Sequence, residues 1–277
     1  MAPAQHVARS PTPPPPVQQP RTVISSVPRT PATPKPRAPT QPSVRWVDIT
    51  DDTVHLPDGA PHGLTWRAAM QSAMDASRRG KKFQVERVER IFNTFLWRSY
   101  DAERDHVQHS LADLPISRRA DRVQPPLVNT FPQALHGRGR GFNAGINECY
   151  LWHGTAFEIS YEIAREGFNE RLCSTSGYFG AGNYFAEDPA KSDAYTKPRN
   201  NGAERTLILA RVCLGHPLRL PPGEKRPQIR ELDHVPGAAR KRRFDSLIGN
   251  PTLSDNEYVV YKGARVLPDF IVTYTRL

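Results

Sequence analysis

The densest group of chemically useful residues lies in residues 177–195, where glycines and tyrosines alternate and a Lys191–Ser192 pair follows. Glycine-rich loops often hold phosphates through backbone N–H groups. The spacing here fits neither common phosphate loop. A Walker loop reads G-x-x-x-x-G-K-[ST] and a dinucleotide fingerprint reads G-x-G-x-x-G, whereas this stretch reads G-x-x-G-x-G. The tyrosines and the flanking motifs are therefore more informative than the glycines.

Three separate segments form a set with this stretch: LWHGT at 151–155, YFGAGNYFAEDPAKSDAY at 178–195 and NEYVVY at 256–261. Together they resemble the catalytic domain of the poly(ADP-ribose) polymerase family, the diphtheria-toxin-like ADP-ribosyltransferases, and most of all its tankyrase-type members. The resemblance runs from about Trp46 to Leu277 and includes GFNER, FDSL and VLPDFIVTY. Because all these motifs occur in order over most of the chain, the resemblance is specific.

The resemblance implies a His-Tyr-Glu triad that acts on NAD as a consumed co-substrate. In this sequence His153 would bond the NAD ribose, Tyr184 would pack on the nicotinamide ribose side and Glu257 would be the catalytic glutamate. Cleavage of the glycosidic bond builds positive charge on the ribose. A carboxylate on the 2′-hydroxyl would stabilise that charge and would orient an incoming nucleophile. Glu257 opens a predicted strand, which would hold it on a rigid element.

The nicotinamide end is implied in the same way. Tyr195 would stack on the ring, the Ser192 hydroxyl would bond the carboxamide, and the backbone of Gly154 would bond the same amide. Nicotinamide is flat and apolar on both faces, so two aromatic rings can cover it while a hydroxyl and a backbone pair satisfy its amide. Glycines at 154, 180 and 182 would let the backbone approach the ligand closely.

The contacts to the adenosine half are less defined, and the candidates are Thr155 and the loop at residues 169–177. The sequence also departs from its relatives. Tankyrases carry a zinc-binding Cys/His cluster, and after Tyr195 this chain reads TKPRNNGAERTLILARV, so no metal is predicted. No ankyrin array or helical autoinhibitory domain is visible, and we therefore expect a site that is open to NAD.

Composition indicates the domain organisation and the distribution of charge. Thirteen of the 28 prolines precede Ser43, in a stretch without aromatic residues or carboxylates, so residues 1–44 are predicted to be a disordered Pro-rich basic tail. Half of the formal net charge of +10 belongs to that tail. The remainder, 45–277, is predicted to be a PARP-like catalytic domain. Its mild positive charge suits an anionic ligand and supports nucleic acid only weakly.

The three cysteines are far apart and form no C-x-x-C pair. Free thiols in a reducing compartment are the simplest interpretation. No run of about 18 apolar residues indicates a membrane span, and the N-terminus lacks the apolar core of a secretory signal. We therefore expect an intracellular protein of the nucleus or cytoplasm.

Element patterns favour an α+β fold, the ADP-ribosyltransferase fold, with mainly antiparallel sheets and flanking helices. A helix is predicted up to Gly80. A stronger one is predicted from Val85 through about residue 107, because its apolar residues recur at three- and four-residue steps. Residues 108–147 lose periodicity and are predicted to be an irregular basic insertion. A short helix is predicted at 156–168, and strands are predicted at 206–214, 257–266 and 269–277.

The predicted function is an NAD-dependent protein ADP-ribosyltransferase that releases nicotinamide and modifies protein acceptors. Polymer formation is favoured, since Glu257 could activate the 2′-hydroxyl of a bound ADP-ribose. The loop at 238–256 would decide which acceptor enters. The alternatives are a mono-ADP-ribosyltransferase and a catalytically silent module that binds NAD or ADP-ribose. The intact triad counts against the silent module.

Overall fold

A computed structural model of the chain describes residues 44–55, 61–114, 141–238 and 241–277. The predicted tail therefore lies almost entirely outside the described residues, and so does most of the predicted insertion at 108–147. The first residues of that range continue a helix that ends at Ala112.

Five strands form the larger sheet, and every neighbouring pair in it is antiparallel. Its spatial order is β1-β4-β11-β7-β5. The long central strands are rich in β-branched and aromatic residues, which suit a sheet that is covered on both faces. The strands are β1 (Arg45–Asp48), β4 (Phe83–Phe92), β5 (Glu148–Gly154), β7 (Arg205–Cys213) and β11 (Val266–Arg276).

A four-stranded sheet has the order β6-β10-β9-β8, with only its β8–β9 pair parallel. A separate hairpin-like pair joins β2 to β3. The prediction of an α+β fold with mainly antiparallel sheets is confirmed. These strands are β2 (Thr53–His55), β3 (Pro61–Thr65), β6 (Asn183–Phe185), β8 (Pro217–Arg219), β9 (Ser246–Gly249) and β10 (Glu257–Val260).

Four α-helices flank these sheets in the described part of the chain: α1 (Trp66–Asp75), α2 (Thr94–Ala112), α3 (Phe157–Glu166) and α4 (Pro189–Asp193). Local sequence sets their starts. The side chains of Thr65, Asn93 and Asp188 accept hydrogen bonds from the first-turn backbone of α1, α2 and α4. Within the residues described, each helix is too short or too polar to cross a bilayer.

The predicted helix at 85–107 is wrong over its first part, because residues up to Phe92 form β4 and the helix begins at Thr94. The pairing of β4 with β11 shifts register at Glu86. This extra residue is a β-bulge. Because of it, the buried residue after Val85 is Val88, three positions on, rather than the residue two positions on. The resulting three-residue step imitates a helical pattern. Phe95, expected on the core face, is 64% exposed.

The predicted strand at 257–266 is also shorter than expected. It ends at Val260, and a 3₁₀ turn at Gly263–Arg265 separates it from β11. The strand predicted at 269–277 instead begins at Val266. Val266 is buried as the first residue of β11, whereas the sequence pattern assigned it to the end of the preceding strand.

Strand β5 separates two layers of the core. Tyr150 and Trp152 face the cluster that α1 covers. Cys149 and Leu151 face the opposite way, into a cluster shared with the four-stranded sheet. His153 continues this second series, because alternate residues of a strand share a face. The alternation of β5 therefore aims His153 at the space between the two sheets.

A direct backbone link joins the two sheets beside that space. Trp152 donates to the carbonyl of Ala186 at 2.9 Å, and Ala186 donates back to the carbonyl of Trp152 at 3.0 Å. Ala186 directly follows β6. The ends of β5 and β6 are thus held together at one point.

Candidate active site

A cavity of about 450 Å³ opens between the two sheets. Every predicted site residue except Thr155 lines it: His153, Gly154, Tyr184, Ser192, Tyr195 and Glu257. Thr155 is half-buried beside it, and its carbonyl accepts a hydrogen bond from the backbone of Lys197 at 3.4 Å. The structure therefore brings together residues that are as far apart in sequence as His153 and Glu257.

A larger cavity, of about 690 Å³, lies at the end of α2. The arginines that line it form ion pairs with carboxylates. Arg242 and Arg265 both pair with Asp245, and Arg243 pairs with Glu231 at 2.8 Å. The smaller cavity is the better candidate site, because it gathers polar groups that converge on one space.

Sheet register places two members of the predicted triad together. Tyr184 on β6 lies opposite Val259 on β10. Directly opposed residues share a face of a sheet, and so do residues two apart on one strand. Glu257, two residues before Val259, therefore projects from the same face as Tyr184. His153 approaches from the other sheet.

His153 is held as a hydrogen-bond acceptor. Its Nδ1 lies 2.8 Å from the carbonyl oxygen of Tyr184. A carbonyl can only accept, so Nδ1 carries the proton and Nε2 keeps a lone pair. Burial lowers the pKa of His153 below its ordinary value of 6.5. Its ring also packs edge-on against Phe168, with the centroids 5.0 Å apart. Because the ring is neutral and its tautomer is fixed, Nε2 can accept a hydrogen bond from a ligand hydroxyl.

Tyr184 is fixed by its phenol. The Oη accepts a hydrogen bond from the backbone N–H of Phe179 at 2.9 Å and donates one to the carbonyl of Gly180 at 2.9 Å. Burial raises the pKa of Tyr184 well above its ordinary value, so the phenol stays neutral. These bonds tie the ring to the loop before β6 and leave its face as a wall of the cavity.

Ser192 lies in the last turn of α4, and Tyr195 lies two residues after the helix ends. The Ser192 hydroxyl is buried and donates to the carbonyl of Trp152 at 2.9 Å. Its oxygen still has lone pairs, so towards a ligand it would serve as an acceptor. Tyr195 is 63% exposed and forms the outer edge of the cavity. Burial, followed by the charge of Glu257, raises the pKa of Tyr195.

Glu257 is buried and lies against Lys191. The Lys191 amine is 3.1 Å from Oε1 of Glu257, and it also donates to the carbonyl of Asp255 at 3.0 Å. The other carboxylate oxygen, Oε2, is buried and has no hydrogen-bond partner among the described residues. A buried oxygen without a partner is costly. A ligand hydroxyl in the cavity would satisfy it.

Lys191 is a cavity residue that the sequence does not single out, because its spacing from the glycines excludes a Walker loop. Its position directly before Ser192 was the available clue, because one turn of helix carries both side chains to the same cavity. Contact with Glu257 depends on a sequence separation of 66 residues, and no local pattern reveals it.

Two of the predicted glycines have a packing role that the sequence did not predict. A Cβ on Gly154 would lie 1.8 Å from the carbonyl oxygen of Ser192, and one on Gly180 would lie 2.1 Å from the carbonyl oxygen of Ile229. Gly180 also has a φ of +72°, which disfavours other residues. Protein atoms, rather than a ligand, occupy the space beside these two glycines. They allow the elements around the cavity to pack closely.

The loop proposed for the adenosine half does reach the cavity. Cys173, Ser174, Ser176 and Gly177 all line it. The thiol of Cys173 points to the side-chain oxygen of Asn183 at 3.4 Å. Within the residues described, no group of three or more His, Cys, Asp or Glu side chains is arranged to hold a metal ion.

Comparison of the chain with known families identifies its class. The family model described as the poly(ADP-ribose) polymerase catalytic domain matches residues 67–276. The chain therefore belongs to the poly(ADP-ribose) polymerase catalytic domain family.

Several members of this family are similar to the chain. The protein mono-ADP-ribosyltransferase PARP12 of Homo sapiens is 28% identical over 161 residues, which cover 57% of this chain and 22% of that protein. The mono-ADP-ribosyltransferase PARP14 of Homo sapiens is 23% identical over 70% of this chain and 9% of its own length. A poly(ADP-ribose) polymerase tankyrase of Caenorhabditis elegans is 25% identical over 46% of this chain and 7% of its own. The chain thus spans less than a quarter of the length of each.

Proposed function

We propose that the protein is an NAD-dependent mono-ADP-ribosyltransferase that modifies protein side chains. The observation that carries this proposal is the meeting of His153, Tyr184 and Glu257 in one cavity, with one oxygen of Glu257 buried and unsatisfied by the described residues. Family membership supports the use of NAD, and the residues present fit such a ligand.

The ribose would lie between the two sheets. The Nε2 lone pair of His153 would accept from one ribose hydroxyl, and Oε2 of Glu257 would accept from the 2′-hydroxyl. The bond between the ribose C1′ and the nicotinamide nitrogen would then break, and nicotinamide would leave with the electron pair. Glu257 would stabilise the positive charge that develops on the ribose, because a fixed carboxylate in a buried site acts strongly on such charge.

The acceptor completes the reaction. A nucleophilic atom of a protein side chain would bond to C1′ and release its proton, and the Glu257 carboxylate is placed to orient that nucleophile or to take the proton. Lys191 would hold Glu257 in position by its contact with Oε1.

Nicotinamide would occupy the other end of the cavity. The rings of Tyr184 and Tyr195 would cover its faces. The backbone of Gly154 and the oxygen of Ser192 would satisfy its amide, with Ser192 accepting because its proton is given to Trp152. Thr155 would contribute from the margin of the cavity.

A single transfer is supported better than a polymer. The sequence analysis favoured a polymer because Glu257 can activate a hydroxyl of ADP-ribose. Relatives of both Homo sapiens and Mus musculus that match this chain are named mono-ADP-ribosyltransferases. A carboxylate permits elongation without requiring it, and the names of these relatives favour single transfer.

The free cysteines support the predicted cellular location. Cys149, Cys173 and Cys213 are all free thiols, which suits a reducing compartment. We therefore place the protein in the nucleus or cytoplasm, with NAD and acceptor proteins as its partners. Nucleic acid is only weakly supported as a partner.

The direct test is a transfer assay with NAD labelled in the adenylate phosphate. The purified chain is incubated with labelled NAD, and the products are separated on a denaturing gel. A sharp labelled band is the expected result. A ladder or smear would replace single transfer with polymer formation. Absence of label, with NAD binding retained by calorimetry, would make the protein a silent binding module.

A further inference from the structure

The loop between α1 and β4 reaches across the molecule to the residues that precede Glu257. We propose that Arg79, on this loop, is a positioning residue for Glu257, and that it acts through Asp255 and Lys191. This inference rests on the proposed function of Glu257 and adds a residue that lies outside the cavity lining.

The contact of Arg79 with Asp255 is well defined. Nε of Arg79 donates to Oδ2 of Asp255 at 2.9 Å, and Nη2 contacts the same oxygen. Nη2 also donates to the Ser254 hydroxyl at 3.3 Å. The Asp255 side chain is only 16% exposed, and charge-assisted bonds of this kind are stronger than neutral ones. Arg79 therefore fixes the turn that leads into β10.

Fixing that turn also fixes Glu257. The Asp255 carbonyl accepts from the Lys191 amine at 3.0 Å, and the same amine lies 3.1 Å from Oε1 of Glu257. Asp255 is also two residues before Glu257 in the chain. Movement of Asp255 would thus displace both the start of β10 and the amine that holds one carboxylate oxygen.

The neighbours of Arg79 hold the helix that carries Lys191. The Ser77 hydroxyl and the Arg78 backbone N–H both donate to the carboxylate of Asp188, which caps α4. Lys81 pairs with Asp193 at the other end of α4, at 2.8 Å. The loop therefore bonds both ends of α4. Arg79 connects the same loop to Asp255, which precedes the strand of Glu257.

The charge of Arg79 also acts on Tyr195, at the edge of the cavity, although Arg79 does not line the cavity. Burial and the charge of Glu257 raise the pKa of Tyr195, and the positive charge of Arg79 opposes that rise. Because Arg79 bonds Asp255 and lies outside the cavity lining, its loss should disturb the position of Glu257 more than the binding of NAD.

Arg79→Ala tests this, with Arg78→Ala as the matched control. Arg78 is the adjacent arginine, and its side chain is 58% exposed and pairs, at 3.5 Å, with Glu187 rather than with Asp255. We expect Arg79→Ala to lower kcat roughly tenfold, because small misplacements of a reacting group are costly, with KM for NAD within about twofold. Arg78→Ala should leave both unchanged. Arg79→Lys, which keeps the charge, should recover part of kcat.

A double-mutant cycle with Asp255→Ala distinguishes positioning from direct contact with substrate. Residues that act through one contact are non-additive. The double variant should therefore be no slower than Asp255→Ala alone. Losses that multiply would overturn the inference, as would an Arg79→Ala variant with the parent kcat. If Arg79→Ala does not fold, Arg79→Lys and Asp255→Asn carry the same test.

Glu257→Gln separates this inference from the proposed function. If Glu257→Gln loses transfer while Arg79→Ala keeps the parent kcat, only the role of Arg79 fails. If Glu257→Gln transfers at the parent rate, the proposed reaction itself fails.

Discussion

The amine of Lys191 lies 3.1 Å from Oε1 of Glu257, and the two side chains are 8% and 6% exposed. One comes from a short helix and the other from the first position of a strand. A buried carboxylate with a single ionic partner on one oxygen and none among the described residues on the other is prepared for a ligand hydroxyl.

Glu257→Gln should abolish most transfer while NAD still binds. The amide keeps the shape of the side chain but cannot stabilise positive charge on the ribose. We expect kcat to fall about 10²- to 10³-fold, measured with labelled NAD, and the dissociation constant to change little by calorimetry. Glu158→Gln, on the exposed side of α3, is the control and should behave as the parent. Equal rates for both variants would refute the role of Glu257.

Lys191→Met should destabilise the fold. Removing one partner of a buried ion pair leaves the other charge uncompensated, which costs about 3–5 kcal/mol. The free energy of unfolding, from urea titration, should fall by this amount. The double variant Lys191→Met with Glu257→Gln should recover part of the loss, because no buried charge then remains unpaired. An absence of recovery would mean that the two side chains are not coupled.

His153 should set an acidic limit to activity. Its folded pKa is lowered, so the neutral acceptor form persists as the pH falls through 6.5 and is lost only at lower pH. The ratio kcat/KM should follow that loss, and His153→Gln should remove this limb of the profile. Stability should decline over the same window. Below about pH 6.5 the unfolded histidine takes up a proton that the folded one does not, and this favours unfolding.

Gly154→Ala should harm the fold and the cavity together. The added Cβ would lie 1.8 Å from the Ser192 carbonyl, so β5 and α4 must separate, at a cost of about 1–3 kcal/mol. A lower melting temperature and weaker NAD binding are expected. Gly141→Ala is the control, since nothing lies within 4 Å of a Cβ there. A variant at 154 as stable as this control would show that the packing adjusts freely.

The residues predicted for the site, apart from Thr155, line one cavity, and they were predictable because their motifs are recognisable as a set. His153, Tyr184 and Glu257 occur in three short segments, and the fold only had to bring those segments together. Lys191 was missed as a partner of Glu257, since their contact is purely tertiary. The close packing of Gly154 against the Ser192 carbonyl was also missed, because a sequence does not reveal which atoms surround a glycine.

The fold class was predictable and several element boundaries were not. The late strands are strongly apolar and β-branched, so their nature is clear from composition. In β4 a single bulged residue, Glu86, changes the spacing of buried positions from two to three. Helical and strand periodicities then coincide over a few residues, and tertiary pairing with β11 decides the outcome.

The two backbone hydrogen bonds between Trp152 and Ala186 join the two sheets directly beside His153. Ala186 follows β6, the strand that carries Tyr184. The distance between the strand of His153 and the strand of Tyr184 is therefore set by main-chain bonds. Substitution of a side chain in the cavity leaves those bonds in place, so variants at this site should change the chemistry of the cavity lining before they change the spacing of its two walls.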